Sequence, residues 1–138
     1  MKVAPEAPVE DTTLGILAYV NPKYVLFKGE NDEFYFNLTA RNGEILLSSE
    51  GYASRAGALN GIESVRKNAA NAQLFEKRVS EDGQHYFVLK ARNHQIIGDS
   101  ETYSTEEARD NGINSVMRLA PAAPIEDKIA LDLAINIA

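Results

Sequence analysis

The chain has 138 residues, enough for one compact domain or for two small halves that share a core. It is 44% hydrophobic and 25% charged, carries no cysteine and has a formal net charge of −6. The lack of cysteine excludes disulfides, thiolate chemistry and cysteine-ligated metal sites, the acidic balance argues against a DNA or RNA partner, and no apolar run approaches the roughly 18 residues of a membrane span.

No basic-then-apolar leader opens the chain, so the expected location is the cytoplasm. Residues 1–23 read as an N-terminal extension, a possible extra strand followed by a linker. Within it, Ala4-Pro5-Glu6-Ala7-Pro8-Val9-Glu10-Asp11 recurs as Ala120-Pro121-Ala122-Ala123-Pro124-Ile125-Glu126-Asp127. Residues 1–13 therefore look like the tail of a missing preceding repeat, retained as a strand. Coincidence between two Pro/Ala-rich stretches is the alternative. Leu14–Val20 is an apolar run that stops at the turn signal Asn21-Pro22, and reads as a short strand or a packed linker.

Tyr24–Lys28 reads as a strand that ends at the turn Gly29-Glu30-Asn31-Asp32. Its counterpart is Phe75–Val79, ending at Ser80-Glu81-Asp82-Gly83, where Asp-Gly is a strong hairpin signal. Next, Phe36, Leu38 and Ala40 alternate with Tyr35, Asn37 and Thr39, and Phe87, Leu89 and Ala91 alternate with Tyr86, Val88 and Lys90. Period two with the same apolar face predicts a half-buried antiparallel strand in both copies. Asn42-Gly43 predicts a type I′ turn into the strand Glu44–Ser48. The second copy has Asn93-His94 before Gln95–Asp99, and histidine at a positive φ predicts the more strained turn.

A helix is predicted from Ser54 to about Ala69 and again from Thr105 to about Leu119, with Ser54 and Thr105 as N-caps and Ser104 with Glu107 as a capping box. Gly57, Gly61, Val65 and Ala69 form a row at helical spacing, matched by Ala108, Gly112, Val116 and Ala120. A mid-helix glycine costs about 1 kcal/mol relative to alanine. Its presence at the same place in both helices predicts a very close approach to a sheet. After Pro124, residues 125–130 read as a closing strand and residues 131–138 as an apolar C-terminal tail.

These pairs are one gapless duplication: Tyr35–Val65 recurs as Tyr86–Val116. The domain division is thus repeat 1 at residues 24–73 and repeat 2 at 74–130, the two forming one domain. The motif runs Tyr35-Phe36-x-Leu38-x-Ala40-Arg41-Asn42, Ile45, Ser49-Glu50-x-Tyr52 and Asn60-Gly61-Ile62-x-Ser64-Val65. It resembles the YegP-like family of small tandem-repeat bacterial proteins, and Asn93-His94-Gln95-Ile96-Ile97-Gly98 followed by Ser100 is especially similar to the second repeat of those proteins. The resemblance covers roughly residues 24–130. It implies an α+β fold of β-β-β-α-β units, with two units around one antiparallel sheet, one helix per repeat packed on it and the last strands exchanged. It carries no assigned activity. The chain departs from the family pattern at both ends, where a spare strand would fill the exchanged slot in its own chain or in a neighbour.

Four sets of residues are candidates for a site. His85 and His94 have no counterparts in repeat 1, and a metal site needs three or four converging ligands, so they read as solvent-facing. Arg41-Asn42 and Arg92-Asn93 stand at hairpin turns. There the asparagines supply turn geometry, and the functional alternative is a pair of anion or carbohydrate contacts. Ser49-Glu50 with Tyr52, and Ser100-Glu101 with Tyr103, lack a partner base and read as loop hydrogen bonding beside a core tyrosine. Asn60 with Ser64, and Asn111 with Ser115, read as buried polar groups that satisfy backbone or cross-repeat bonds. The expectation is no catalytic, metal or cofactor residue. The chain is expected to be a non-enzymatic protein-interaction or structural module that binds itself through terminal strands or binds another protein, with no nucleic acid and no membrane. The alternative is a small-ligand binding protein with its site at the pseudo-twofold axis.

Overall fold

The period-two rows fold as strands and the helical rows as helices, in the order β1 (Lys23–Lys28), β2 (Phe34–Thr39), β3 (Ile45–Ser48), α1 (Arg55–Asn68), β4 (Phe75–Val79), β5 (His85–Lys90), β6 (Ile96–Asp99), α2 (Glu106–Leu119) and β7 (Ile125–Asp127). This computed structural model describes residues 21–129. The strand expected in residues 1–13, the run Leu14–Val20 and the tail 131–138 lie outside the described residues. The strands form one sheet in the order β4-β5-β6-β3-β2-β1-β7. Neighbours are antiparallel except β1 and β7, which run parallel. The chain leaves α1 through a short 3-10 turn, Ala72–Leu74, directly into β4. It leaves α2 into β7, which lies beside β1 of the first repeat. The closing strand ends at Asp127, whose carboxylate accepts the Ile129 N–H at 3.0 Å.

The core lies between the helices and one face of the sheet. Tyr24, Leu26, Phe36, Leu38, Leu47, Ile62, Val65, Phe87, Leu89 and Val116 are fully buried, each contributing roughly 1.5–3 kcal/mol through lost apolar exposure. Both helices start where expected. The Ser54 hydroxyl accepts the Gly57 N–H at 3.0 Å and the Thr105 hydroxyl accepts the Ala108 N–H at 3.0 Å. Because Thr105 is the cap, the residue three places on is Ala108, and the Ser104–Glu107 capping box does not form.

The helix glycines face inward. A Cβ on Gly61 would lie 2.3 Å from the Tyr52 hydroxyl and 3.0 Å from the Phe36 ring, and one on Gly112 would lie 2.5 Å from the Tyr103 hydroxyl. The expected close approach is therefore to a tyrosine laid between helix and sheet. Tyr52 stacks on Phe36 with ring centroids 6.2 Å apart, and Tyr103 on Phe87 at 6.5 Å. The repeats meet where Ser48 of β3 opposes Asp99 of β6. Beside this pair, Leu47 and Gly98 hold equivalent places in the two copies. A Cβ on Gly98 would lie 2.7 Å from Leu47 Cγ, so there is room for one large side chain near the axis and not for two.

The turns differ from expectation. Ala40 O accepts the Gly43 N–H at 2.9 Å and the Ala40 N–H donates to Glu44 O at 2.8 Å. Gly43 has φ 84° and Asn42 does not have a positive φ. This is a three-residue loop ending in a left-handed residue, not a type I′ turn, which needs two such residues. In the second copy His94 takes that place at φ 71°. The first hairpins reverse the assignment, with Asp32 at φ 66° in repeat 1 and Gly83 at φ 85° in repeat 2.

Gly61→Ala should destabilise the fold by roughly 1–3 kcal/mol through overpacking, although alanine is the better helix former. In a Tyr52→Phe background, which removes the nearest atom, the same change should cost less. Urea unfolding of the four proteins measures this coupling, and additive effects would rule the contact out as the cause. His94→Gly should stabilise by about 0.5–1 kcal/mol, since relief of left-handed strain exceeds the added backbone entropy. An unchanged or lowered urea midpoint would contradict that.

Candidate functional site

Each helix reaches across the seam, because α1 packs against β5 and β6 of repeat 2 while α2 packs against β3 of repeat 1. The hairpin turn of one repeat thereby faces the helix of the other. Between α2 and the β2–β3 turn is a cleft of about 590 Å³ lined by Arg41, Asn42, Glu44, Ser115 and Arg118. Between α1 and the β5–β6 turn is its counterpart, about 480 Å³, lined by Asn60, Glu63, Ser64, Lys67, Arg92 and Asn93. A wider groove of about 760 Å³ continues past Asn60 and Ser64 to Glu50, Tyr52 and His94. Residues that look unrelated along the chain, the Arg-Asn turns and the Asn/Ser helix flank, are thus brought together in cross-repeat pairs.

Charge in these clefts is unbalanced. Most cations among the described residues are held by a carboxylate: Lys77 by Asp110 at 3.2 Å, Lys90 and Arg78 by Glu76, Lys23 by Glu126, Arg55 by Asp127 and Arg109 by Asp110 at 3.1 Å. Arg41, Lys67, Arg92, Arg118 and Lys128 are the described cations with no ion pair. All of these except Lys128 line the two clefts. Of the carboxylates there, Glu63 is already paired with Arg66 at 2.5 Å, which leaves Glu44 beside Arg41 and Arg118. Asn42 and Asn93 do shape the turns, accepting the Glu44 and Gln95 N–H groups at 3.0 Å each.

The remaining candidates are placed by structure. Ser49 Oγ accepts the Phe36 N–H at 2.9 Å and donates to Glu50 O at 2.8 Å, and Ser100 repeats both bonds with Phe87 and Glu101 at 3.0 and 2.8 Å. These hydroxyls close strand ends. Burial pushes the Tyr52 and Tyr103 hydroxyls up, so both stay protonated. Asn60 and Asn111 are exposed and not buried as expected, because they sit one position off the row that faces the tyrosines. Ser64 is half-buried, and its carbonyl accepts the Asn68 side-chain amide at 2.8 Å. His85 opens β5 opposite Val79, while His94 lies in the turn. Among the described residues no three metal-ligating side chains converge, and no helix is long and apolar enough to cross a membrane.

At the seam itself the charge is negative. Asp99 is held above the usual carboxylate range by desolvation on the sheet, with Glu50 and Glu101 adding to the effect. The unpaired cations thus lie in the flanking clefts and not beside Asp99. That placement was not legible in the sequence, because the signal, duplicated Arg-Asn and Asn-x-x-x-Ser, does not say which copy faces which.

Two stretches, residues 30–76 and 80–127, match the family described as Domain of unknown function (DUF1508). A UPF0339 protein of Shewanella oneidensis is 50% identical over 104 residues, covering 75% of this chain and 94% of the relative. The UPF0339 protein YegP of Yersinia pestis is 49% identical, covering 75% and 93%. Among solved structures, the solution NMR structure of a Shewanella oneidensis UPF0339 protein matches with a TM-score of 0.73 at 49% identity, covering 77% of this chain and 90% of that one. The solution NMR structure of the E. coli protein of unknown function yegP matches with a TM-score of 0.74 at 41% identity, covering 78% and 93%.

The raised Asp99 carboxyl gives a pH prediction. Its folded form holds the proton more tightly than the unfolded chain, so this group's contribution is most favourable in acid and is lost as pH rises through its folded pKa. Asp99→Asn should therefore raise stability at neutral pH, by less than about 1 kcal/mol because the side chain is exposed and screened. Its advantage should vanish near pH 3. Equal gains at both pH values in urea melts would contradict this.

Proposed function

The chain belongs to the DUF1508 family, which comes without an assigned function, and on that premise we propose that it is a non-enzymatic protein-interaction module that holds an acidic segment of a partner across its two cross-repeat clefts. The observation that carries this reading is the concentration of unpaired cations, Arg41 and Arg118 in one cleft and Lys67 and Arg92 in the other, on a chain of net charge −6. Apart from Lys128, the other described cations are paired with carboxylates. Arginine suits this task because its planar fork binds a carboxylate through two bonds. Two clefts related by the pseudo-twofold axis favour an extended partner that reaches both, since the second contact is then intramolecular. The engagement of Ser49 and Ser100 in strand-end hydrogen bonds supports a binding role over catalysis.

The second reading is a small-ligand binding protein. The charge pattern moves its site from the axis to the same clefts, where a compact carboxylate or phosphate would be held one per cleft.

A synthetic glutamate-rich decapeptide, and sodium citrate in parallel, titrated into the full chain and followed by amide chemical-shift changes, separates the readings. The peptide should bind and shift residues of both clefts at once, with affinity falling between about 50 and 300 mM NaCl as the charges are screened. Arg41→Ala with Arg92→Ala should weaken it roughly tenfold while the melting temperature stays unchanged. Saturation by citrate without peptide binding would favour the second reading. Peptide shifts that avoid the clefts, or persist in the double variant, would overturn both.

A further inference from the structure

β7 completes the sheet at β1 through specific contacts. The Tyr24 N–H donates to Pro124 O at 2.8 Å, Ile125 lies opposite Tyr24 and packs on the core, and Arg66 donates to Ala123 O at 2.7 Å. Lys23 pairs with Glu126 and Arg55 with Asp127. The duplication carries β1 onto β4, whose outer edge has no strand beside it among the described residues. There a groove of about 390 Å³ has Phe75, Ile113 and Met117 as its apolar floor and the Lys77–Asp110 pair in its wall. In the repeat these residues correspond to Tyr24, Ile62, Arg66, Leu26 and Leu59, the surface on which β7 rests.

The chain contains a second segment similar to β7, since Pro8-Val9-Glu10-Asp11 parallels Pro124-Ile125-Glu126-Asp127 with valine in place of isoleucine. We propose that Pro8–Asp11 of the same chain lies parallel to β4, with Val9 opposite Phe75, and completes the sheet on this side as β7 does on the other. Each neighbour has suitable chemistry. Val9 meets the apolar floor. Glu10 falls beside Glu76, a single carboxylate that already faces both Lys90 and Arg78, so a positive charge is left for a second one. Asp11 falls beside Lys77. The counterpart of Arg55 is Glu106, so Asp11 draws on Lys77 in its place.

Direction and reach agree with an intramolecular arrangement. Successive antiparallel pairings from β1 to β4 make β4 run opposite to β1. A segment parallel to β4 therefore ends on the side of the sheet where β1 begins. The path from that slot to β1 is six strand spacings, roughly 29 Å, and the extended chain from Asp11 to Lys23 reaches up to roughly 40 Å.

Because the chain has no cysteine, paired substitutions give a clean test. The full chain carrying Glu10→Cys and Glu76→Cys is oxidised at low concentration and mapped by mass spectrometry, beside an off-register control carrying Glu10→Cys and Arg78→Cys. The single-cysteine chains, melted in parallel, confirm that the fold survives. The expected result is an intramolecular bond formed at least about tenfold more readily than in the control, as disulfide geometry demands of adjacent strands. A cross-link that joins two chains would overturn the proposal by assigning the slot to a second copy, and equal cross-linking in both pairs would overturn it by removing the register.

Discussion

A tyrosine ring held between a helix glycine and a sheet phenylalanine, built once in each repeat, sets the spacing of the whole molecule. Tyr52 lies over Phe36 and under Gly61, and Tyr103 lies over Phe87 and under Gly112. The ring enters through an isolated bridge that ties Tyr52 to Phe34 and Tyr103 to His85. The loop after the third strand is thereby fastened to the second strand before the helix begins. A side chain on either glycine would lift the helix off the ring, and the loss of packing would spread along Ile62, Val65 and Val116, which close the same core. The helix position in turn decides how far each helix projects over the neighbouring repeat, and so creates the clefts.

The duplication is faithful where each copy packs on itself and broken where the copies meet something else. At the seam, Leu47 fills space that Gly98 leaves empty, since equivalent side chains near a twofold axis compete for one volume. At the sheet ends, Arg55 and Arg66 of α1 hold β7, whereas their equivalents Glu106 and Met117 do not carry those donors. At the turns, the left-handed residue is glycine in one hairpin of each repeat and Asp32 or His94 in the other. Each break follows from a local steric or electrostatic demand that the second copy does not share.

The cations of the clefts illustrate how a site arises from such a fold. Arg41 and Arg92 are carried by turns whose asparagines are committed to backbone bonds, so the guanidiniums are left to face outward. Lys67 and Arg118 stand in the last turn of each helix, where cations complement the helix dipole. Local rules thus explain why each residue is where it is. Their meeting across the seam is a property of the assembled sheet.

Much of this architecture was written in the residues. The gapless repeat, the alternating strands, the capped helices and the inward glycines follow from period, propensity and the cost of helical glycine, all of which act over a few neighbours. The same local logic failed at the Asn42-Gly43 turn and at Ser104–Glu107, where a shift of one residue selects a different hydrogen-bond pattern. What only the tertiary structure decided is which repeat each element serves: that β7 lies beside β1, that β3 meets β6, and that each helix covers the other repeat's turn. Those pairings join residues far apart in the chain, and their energy comes from shared burial and steric exclusion at the seam, which a one-dimensional pattern does not encode.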